Sequence, residues 1–225
     1  MIVIICGMHR SGTSALAGML HANGICMGRE KDFYPPPMKE NPKGFYENVK
    51  FRRINDAILH KVGYKVKSFN PDIPEVPVIE DLEIRAKMIS LIASYQREYE
   101  NWGWKDPRTS LTFLSWVDVL NEMNLFKSST SCLFTLRSAK DISTSMITRG
   151  NKEKSLKQFE KLSLVYAVRL LESLQVLGDS FPVMSIAFED LISNAKQEAE
   201  RITSFLAYDI KDTSFIDPAI ARTVA

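Results

Sequence analysis

The sequence has only three cysteines and no long hydrophobic run. Cys6, Cys26 and Cys132 are an odd number without the spacing of a metal site, which favours a reduced protein over a disulfide scaffold. No segment approaches the length of a membrane span, and the apolar start, residues 1–6, is too short for a signal peptide. We therefore expect a cytoplasmic protein without stable membrane insertion.

Net charge is also nearly lacking. A formal charge of +2 is too small for general affinity for nucleic acid or for anionic membrane, so any anion must be bound by locally placed cations. Internal repeats and low-complexity tracts are missing as well. A length of 225 residues with 45% hydrophobic content suits one α/β domain, which we expect to span residues 1–225.

The first twenty residues have the pattern of a strand, a phosphate-binding loop and a helix. The apolar run Ile2–Cys6 breaks at Gly7, and a short polar stretch leads into a helical segment that begins near Ala15. Glycines let the backbone approach an anion closely, and the unpaired amides at a helix N-terminus stabilise negative charge. The predicted ligand is therefore phosphate-like.

This loop lacks the lysine of a nucleoside triphosphatase. Gly7 and Gly12 have the spacing of a Walker A loop, but Thr13 and Ser14 follow where that pattern requires lysine and then serine or threonine. A cation, Arg10, lies two residues before Gly12 instead. A small-molecule kinase that binds ATP with magnesium stays an alternative, although the missing lysine argues against it. A turn that binds nothing is the other alternative for the loop alone.

Periodicity predicts the remaining elements. Proline and glycine interrupt residues 24–44 and 64–79, which we expect to be irregular. In the longest helix, seven positions are expected to face inward: Leu156, Phe159, Leu162, Tyr166, Leu170, Leu174 and Leu177. Helical spacing is found at residues 51–62, 80–100, 111–123, 140–148, 155–177 and 194–206, and further strand-like runs are found at 102–106, 131–137 and 183–188.

Strands that alternate with helices predict the α/β class, with a central, mostly parallel sheet flanked by helices on both faces. In such sheets ligands bind beyond the carboxyl ends of the strands. The phosphate loop, residues 105–108, Arg137 and the pair Glu189 and Asp190 all follow predicted strands. We therefore expect several of them to share one rim of the sheet.

Arg137 and Ser145 supply a second phosphate-binding pattern. A guanidinium can hold phosphate oxygens in a two-bond fork, and a hydroxyl from the next helix adds a neutral donor. Together with Arg10-Ser-Gly-Thr-Ser14, this pattern resembles the sulfotransferase family, in which an arginine and a serine eight residues later bind a 3′-phosphate. Ala139 stands where that family usually has proline. On the residues alone, Arg137 could instead pair with a carboxylate and Ser145 could be an ordinary helix residue.

The resemblance spans nearly the whole chain. Residues 41–48, 105–108, 188–191 and 200–206 are similar to other parts of the family, whereas the adenine-binding Arg-Lys-Gly element of the cytosolic steroid and phenol enzymes is absent. The chain is thus more similar to bacterial or carbohydrate-type members. The resemblance implies a P-loop-like fold and donor binding by Arg10, Ser11, Gly12, Thr13, Ser14, Arg137 and Ser145.

The implied reaction moves a sulfuryl group from 3′-phosphoadenosine 5′-phosphosulfate (PAPS) to an acceptor hydroxyl on a small molecule or carbohydrate. It releases 3′,5′-bisphosphoadenosine and needs no metal. A domain that binds the donor without catalysis is a further alternative. Arg10 and the amides of residues 11–14 are expected to stabilise the leaving group. Lys105 is expected to contact the transferring group or the leaving oxygen, or else to pair with Asp106.

Glu47 is the candidate general base. It follows a glycine and two aromatic residues in an irregular segment and precedes a helix, so that its carboxylate could face the rim. It could equally interact with the N-terminal dipole of that helix. Glu40 and Asp106 are further candidates. None of the three histidines stands out as a base: His9 is inside the loop, and His21 and His60 are in predicted helices.

Overall fold

The computed structural model describes residues 1–38, 41–151, 153–179 and 181–218, with the side chains of 127 and 128 excepted. These residues form a four-stranded sheet in the order β2-β1-β3-β4, and every neighbouring pair is parallel. The strands are β1 (Ile2–Cys6), β2 (Trp102–Lys105), β3 (Thr130–Leu136) and β4 (Val183–Ala187). The predicted fold class is confirmed, and the four carboxyl ends lie along one edge.

Helices cover both faces of this sheet. They are α1 (Thr13–Ala22), α2 (Val49–Lys61), α3 (Leu82–Glu98), α4 (Thr109–Glu122), α5 (Phe126–Ser129), α6 (Ala139–Thr148), α7 (Leu156–Leu177), α8 (Phe188–Ser193) and α9 (Ala195–Leu206). Single 3₁₀ turns, Glu30–Asp32 and Val66–Ser68, lie in the two segments predicted to be irregular. The helices α5 and α8 were not predicted from the sequence, since each is too short to show a helical period.

The last strand is one residue shorter than predicted. The sequence predicts a strand through Phe188, but β4 ends at Ala187 and Phe188 begins α8. Glu189 and Asp190 occupy the first turn of α8, where negative side chains interact favourably with the helix dipole. The switch from strand to helix therefore occurs one residue earlier than the apolar pattern suggests.

β1 is buried on both faces, which explains its uninterrupted apolar sequence. Ile2, Ile4 and Cys6 pack in a cluster with side chains of α2, α3 and α4. Val3 and Ile5 pack in a second cluster with side chains of α1 and α9. β1 is thus fixed in the centre of the molecule, and its packing anchors the start of the loop that follows it.

A third cluster lies against the phosphate loop. It joins Met8 of the loop to Leu111 of α4 and to Phe159 and Tyr166 of α7. Most of the predicted inward positions of α7 are buried, but Leu156 is 48% exposed. Leu156 is the first residue of the helix.

Candidate active site

Gly7 follows β1 and has a conformation that only glycine adopts easily. Its φ is 142°, and a Cβ atom added here would lie 2.9 Å from the carbonyl oxygen of Thr135 and would also collide with the side chains of Thr135 and Ser11. Its amide donates to Ser110 Oγ at 2.9 Å. The start of the loop is therefore fixed against β3 and α4.

Gly12 begins the helix that follows the loop. It has a φ of 95° at the N-cap of α1, and no side chain caps the first turn, which contains no acidic residue. The first amides of a helix have no partner within the helix, so those of Thr13 and Ser14 can bind an anion. Thr13 is buried, and Ser14 Oγ donates to the carbonyl oxygen of Phe45 at 3.1 Å.

Arg10 and Arg137 connect the two predicted phosphate-binding patterns. Arg10 has a φ of 70°, in the left-handed region that is strained for a residue with a side chain. Arg10 Nε donates to Ser145 Oγ at 2.9 Å, and Arg137 Nη1 donates to the Arg10 carbonyl oxygen at 3.1 Å. Arg10 is 135 positions from Ser145 and 127 positions from Arg137 in the sequence. The fold nevertheless brings the three residues into one cationic cluster.

Arg137 has an unsatisfied donor. Its guanidinium carbon lies 4.4 Å from the centroid of the Phe188 ring, and burial lowers its pKa, an effect that Asp141 and Glu189 partly offset. The Nε atom is buried and finds no hydrogen-bond partner among the described residues. Because a buried donor without a partner is unfavourable, this site fits an added anion.

A cavity at the carboxyl edge of the sheet brings the predicted residues together. The carboxylates of Glu47 and Asp217 line it. Five cationic side chains also line it: Arg10, Lys43, Lys105, Arg137 and Arg149. Gly12, Thr13 and Ser14 also line it. Ser11 and Ser145 are buried, and the lining does not include them. Ser11 shapes the loop, since its amide and hydroxyl both donate to the Met8 carbonyl oxygen.

Glu47 is positioned by the edge of β2 and by the start of α2. It forms an isolated parallel bridge with Lys105, and the following residue, Asn48, caps α2 by accepting from the Lys50 amide at 3.0 Å. Lys105 Nζ donates to Glu47 Oε1 at 3.0 Å. Lys105 is only 1% exposed; burial lowers its pKa, and the Glu47 carboxylate opposes that shift. Lys105 therefore pairs with Glu47 rather than with Asp106.

Asp106, another candidate base, belongs to a buried network behind the cavity. Burial alone would raise its pKa, but Arg108, at 2.8 Å, and a hydrogen bond from Asn55 hold the pKa below its ordinary value. Arg108 also pairs with Asp56 at 2.8 Å and lies 3.9 Å from Glu47. Asp106 does not line the cavity. This network fixes the end of β2, and with it the backbone of Lys105.

Some residues of the cavity were not singled out by sequence reasoning. His9, Arg149 and Phe188 line it. His9 lies in the predicted loop, but no role was predicted for it, and the positions of Arg149 and Phe188 in the sequence give no signal of a place in the cavity. The candidate Glu40 lies outside the described residues. His21 lies away from this cavity, where its Nδ1 accepts from the Met27 amide at 3.3 Å.

Two kinds of feature are absent from residues 1–38, 41–151, 153–179 and 181–218. No group of three or more histidine, cysteine, aspartate or glutamate side chains is placed to hold a metal ion. No helix there is both long enough and apolar enough to cross a bilayer.

Comparison with known proteins agrees with this geometry. Residues 3–212 match the model of a family described as the sulfotransferase family. A similar solved structure is the sulfotransferase domain from the Synechococcus PCC 7002 olefin synthase, at 16% identity over 99% of this chain and 86% of that chain, with a TM-score of 0.58. Another is the sulfotransferase domain from the curacin biosynthetic pathway, at 13% identity over 96% and 77%, with a TM-score of 0.55. No curated protein sequence matches the chain.

Proposed function

Because the chain belongs to the sulfotransferase family, we propose that it transfers a sulfuryl group from PAPS to an acceptor hydroxyl. The observation that carries this proposal is the contact between the two anion-binding patterns, Arg10 with Ser145 and Arg137 with the Arg10 backbone. A donor with phosphate groups at both its 5′ and 3′ positions needs two cationic sites close together. A nucleoside triphosphate needs only one.

We assign the 5′-phosphosulfate to the phosphate loop. Arg10 and the amides of Gly12 to Ser14 bind this end and stabilise charge that develops on the leaving group. The 3′-phosphate is assigned to Arg137 and Ser145. In support of this, the unpaired Nε of Arg137 offers a charge-assisted hydrogen bond that no described residue accepts.

Glu47 acts as the general base in this proposal. Its carboxylate accepts the proton of the acceptor hydroxyl while the oxygen attacks sulfur. A new oxygen–sulfur bond forms as the bond between sulfur and the 5′-phosphate oxygen breaks, and the bisphosphate leaves with that electron pair. Lys105, whose Nζ lies 3.0 Å from Glu47 Oε1, is proposed to orient the carboxylate and to stabilise the leaving oxygen.

The acceptor is proposed to be a carbohydrate or another small molecule. Phe45 and Arg149 line the cavity, with the Arg149 guanidinium carbon 4.8 Å from the Phe45 ring centroid, and together they offer an apolar and a polar surface. We propose the cytoplasm as the compartment, which the three free thiols of Cys6, Cys26 and Cys132 support.

The test is turnover of PAPS labelled with ³⁵S by the purified chain, with a panel of sugars and small alcohols and phenols as acceptors. We expect bisphosphate to form together with one or more labelled products, without added metal. Bisphosphate binding with no turnover by any acceptor or by water would favour a non-catalytic donor-binding domain. Binding of ATP with magnesium but not of bisphosphate would favour a kinase.

A further inference from the structure

His9 lies at the centre of the phosphate loop, between Gly7 and Arg10. It lines the same cavity as Glu47 and Lys105 and is partly exposed there. Its Nε2 atom, in contrast, is buried, and no hydrogen-bond partner for it exists in the part of the chain that the structure describes. A buried imidazole nitrogen without a hydrogen-bond partner lowers the stability of the folded protein. Its position in the wall of this cavity therefore indicates a role other than stabilising the fold.

Two aromatic rings hold this imidazole in place. The ring centroids of Phe69 and Tyr166 each lie 6.2 Å from that of His9, with interplanar angles of 90° and 62°. Both contacts are of the edge-to-face type, which favours one orientation of the imidazole plane. Tyr166 is itself buried in α7, so the position of His9 is fixed by the core of the molecule.

Cations surround the ring. Burial first, and then the charge of Arg108, lower the pKa of His9 to about 3, with Lys105 and Arg149 acting in the same direction and Asp106 in the opposite one. The imidazole is therefore neutral at physiological pH and is too weak a base to deprotonate a hydroxyl. A neutral imidazole carries one N–H and one lone pair, and the tautomer follows from the surroundings. Because Nε2 is buried, Nδ1 is the nitrogen that a ligand in the cavity can reach, and a ligand oxygen there favours the tautomer with the hydrogen on Nδ1.

We propose that His9 is a catalytic residue that donates a hydrogen bond from Nδ1–H to an oxygen of the transferring sulfuryl group, an inference that rests on the proposed function above. It binds the sulfuryl group while Glu47 remains the base. A fixed donor of this kind holds the group in line between the acceptor oxygen and the leaving oxygen. Because His9 stays neutral, it does not compete with Glu47 for the proton.

Three substitutions of His9 separate the roles of its two nitrogens. The amide nitrogen of asparagine lies near the position of Nδ1, that of glutamine lies near the position of Nε2, and phenylalanine keeps a ring without a donor. We expect His9→Phe and His9→Gln to lower the turnover number for PAPS by about 100-fold, the usual effect of removing one such donor. We expect His9→Asn to stay within about 10-fold of the unaltered chain.

Binding of 3′,5′-bisphosphoadenosine is the second readout, because this product lacks the sulfuryl group. Its dissociation constant, measured by calorimetry, is expected to stay within about 2-fold in all three variants. His21→Asn is the matched control, since His21 lies away from the cavity, and we expect it to change neither quantity.

Several results would overturn the inference. Normal turnover by His9→Phe would remove His9 from the reaction, and equal losses in His9→Asn and His9→Gln would refute donation from Nδ1. Loss of bisphosphate binding in all three would show that His9 only shapes the loop. If the unaltered chain bound bisphosphate but never turned over PAPS, the proposed function itself would fail, a result distinct from a defect confined to the variants.

Discussion

At the scale of single residues, Glu47 and Lys105 form a unit in which neither charge is isolated. A lysine that is 1% exposed needs a partner, because leaving one charge of a buried pair alone is strongly unfavourable. The pair lies at the carboxyl end of β2, beside the phosphate loop. We infer that Lys105 keeps the Glu47 carboxylate oriented until the acceptor arrives.

Glu47→Gln tests this role. The amide keeps the shape and can still accept from Lys105, but it cannot take up a proton, so we expect turnover of PAPS to fall by about 100- to 10,000-fold. Bisphosphate affinity, measured by calorimetry, is expected to remain nearly unchanged. Glu98→Gln is the control, because Glu98 forms a surface ion pair with Arg29 and does not line the cavity. Unchanged turnover by Glu47→Gln would remove Glu47 from the mechanism.

Arg137→Ala tests the 3′-phosphate assignment. Loss of a charge-assisted contact is expected to weaken binding of 3′,5′-bisphosphoadenosine by about 10- to 100-fold. Adenosine 5′-phosphate lacks the 3′-phosphate, so its affinity is expected to change much less. Arg97→Ala, which changes an exposed residue in the last turn of α3 away from the cavity, serves as the control variant. An equal loss for both nucleotides would contradict the assignment.

Site residues were predictable from the sequence where the members of a motif lie close together in the chain. Arg10 with Gly12, and Arg137 with Ser145, are each recognisable from short spacings. The pair of Glu47 and Lys105 spans 58 positions, so only the fold reveals it. The environment of His9 was likewise hidden, because its neighbours Phe69 and Tyr166 come from distant segments.

At the scale of elements, the turn from β1 into α1 depends on close backbone contact with β3. Its start, Gly7, has no room for a side chain next to Thr135. Gly63, in contrast, follows α2 with a φ of 75°, and no atom of the described residues lies within 4 Å of an added Cβ. The two glycines therefore separate the effect of steric contact from that of backbone conformation.

We expect Gly7→Ala to lower the free energy of unfolding by more than about 3 kcal/mol, because conformational strain and overpacking add. Gly63→Ala involves strain alone and is expected to lower it by about 1–2 kcal/mol. Urea denaturation measures both, and calorimetry with bisphosphate is expected to show loss of binding only for Gly7→Ala. Equal stability losses, or full binding by Gly7→Ala, would show that the loop tolerates a side chain here.

The longer elements follow from periodicity, and the shorter ones do not. β1 was predictable because each of its residues is buried, which produces an unbroken apolar run. The four-residue α5 and six-residue α8 are too short for a periodic signal. The exposure of Leu156 was also unpredictable, since it shares the helical period of the buried residues of α7.

At the scale of the whole molecule, the parallel sheet explains why distant residues meet. The carboxyl ends of its strands lie at one edge, so the loops after β1, β2 and β3 bring the phosphate loop, Lys105 and Arg137 to one cavity. Alternation of strands and helices predicts this class of fold and this shared rim. The order β2-β1-β3-β4 was not predicted, because pairing depends on packing between distant segments. That residues 1–225 form one domain stays a prediction.

The cavity is proposed to bind a donor with both 3′- and 5′-phosphate groups. The most direct measurement compares thermal unfolding of the chain with 3′,5′-bisphosphoadenosine and with ATP plus magnesium. At about 100 times its dissociation constant, a ligand stabilises the folded state by about 2.7 kcal/mol, or roughly 5–10 °C for a chain of this size. We predict such a rise in Tm with bisphosphate and little change with ATP and magnesium. Stabilisation by ATP with magnesium alone would contradict the account.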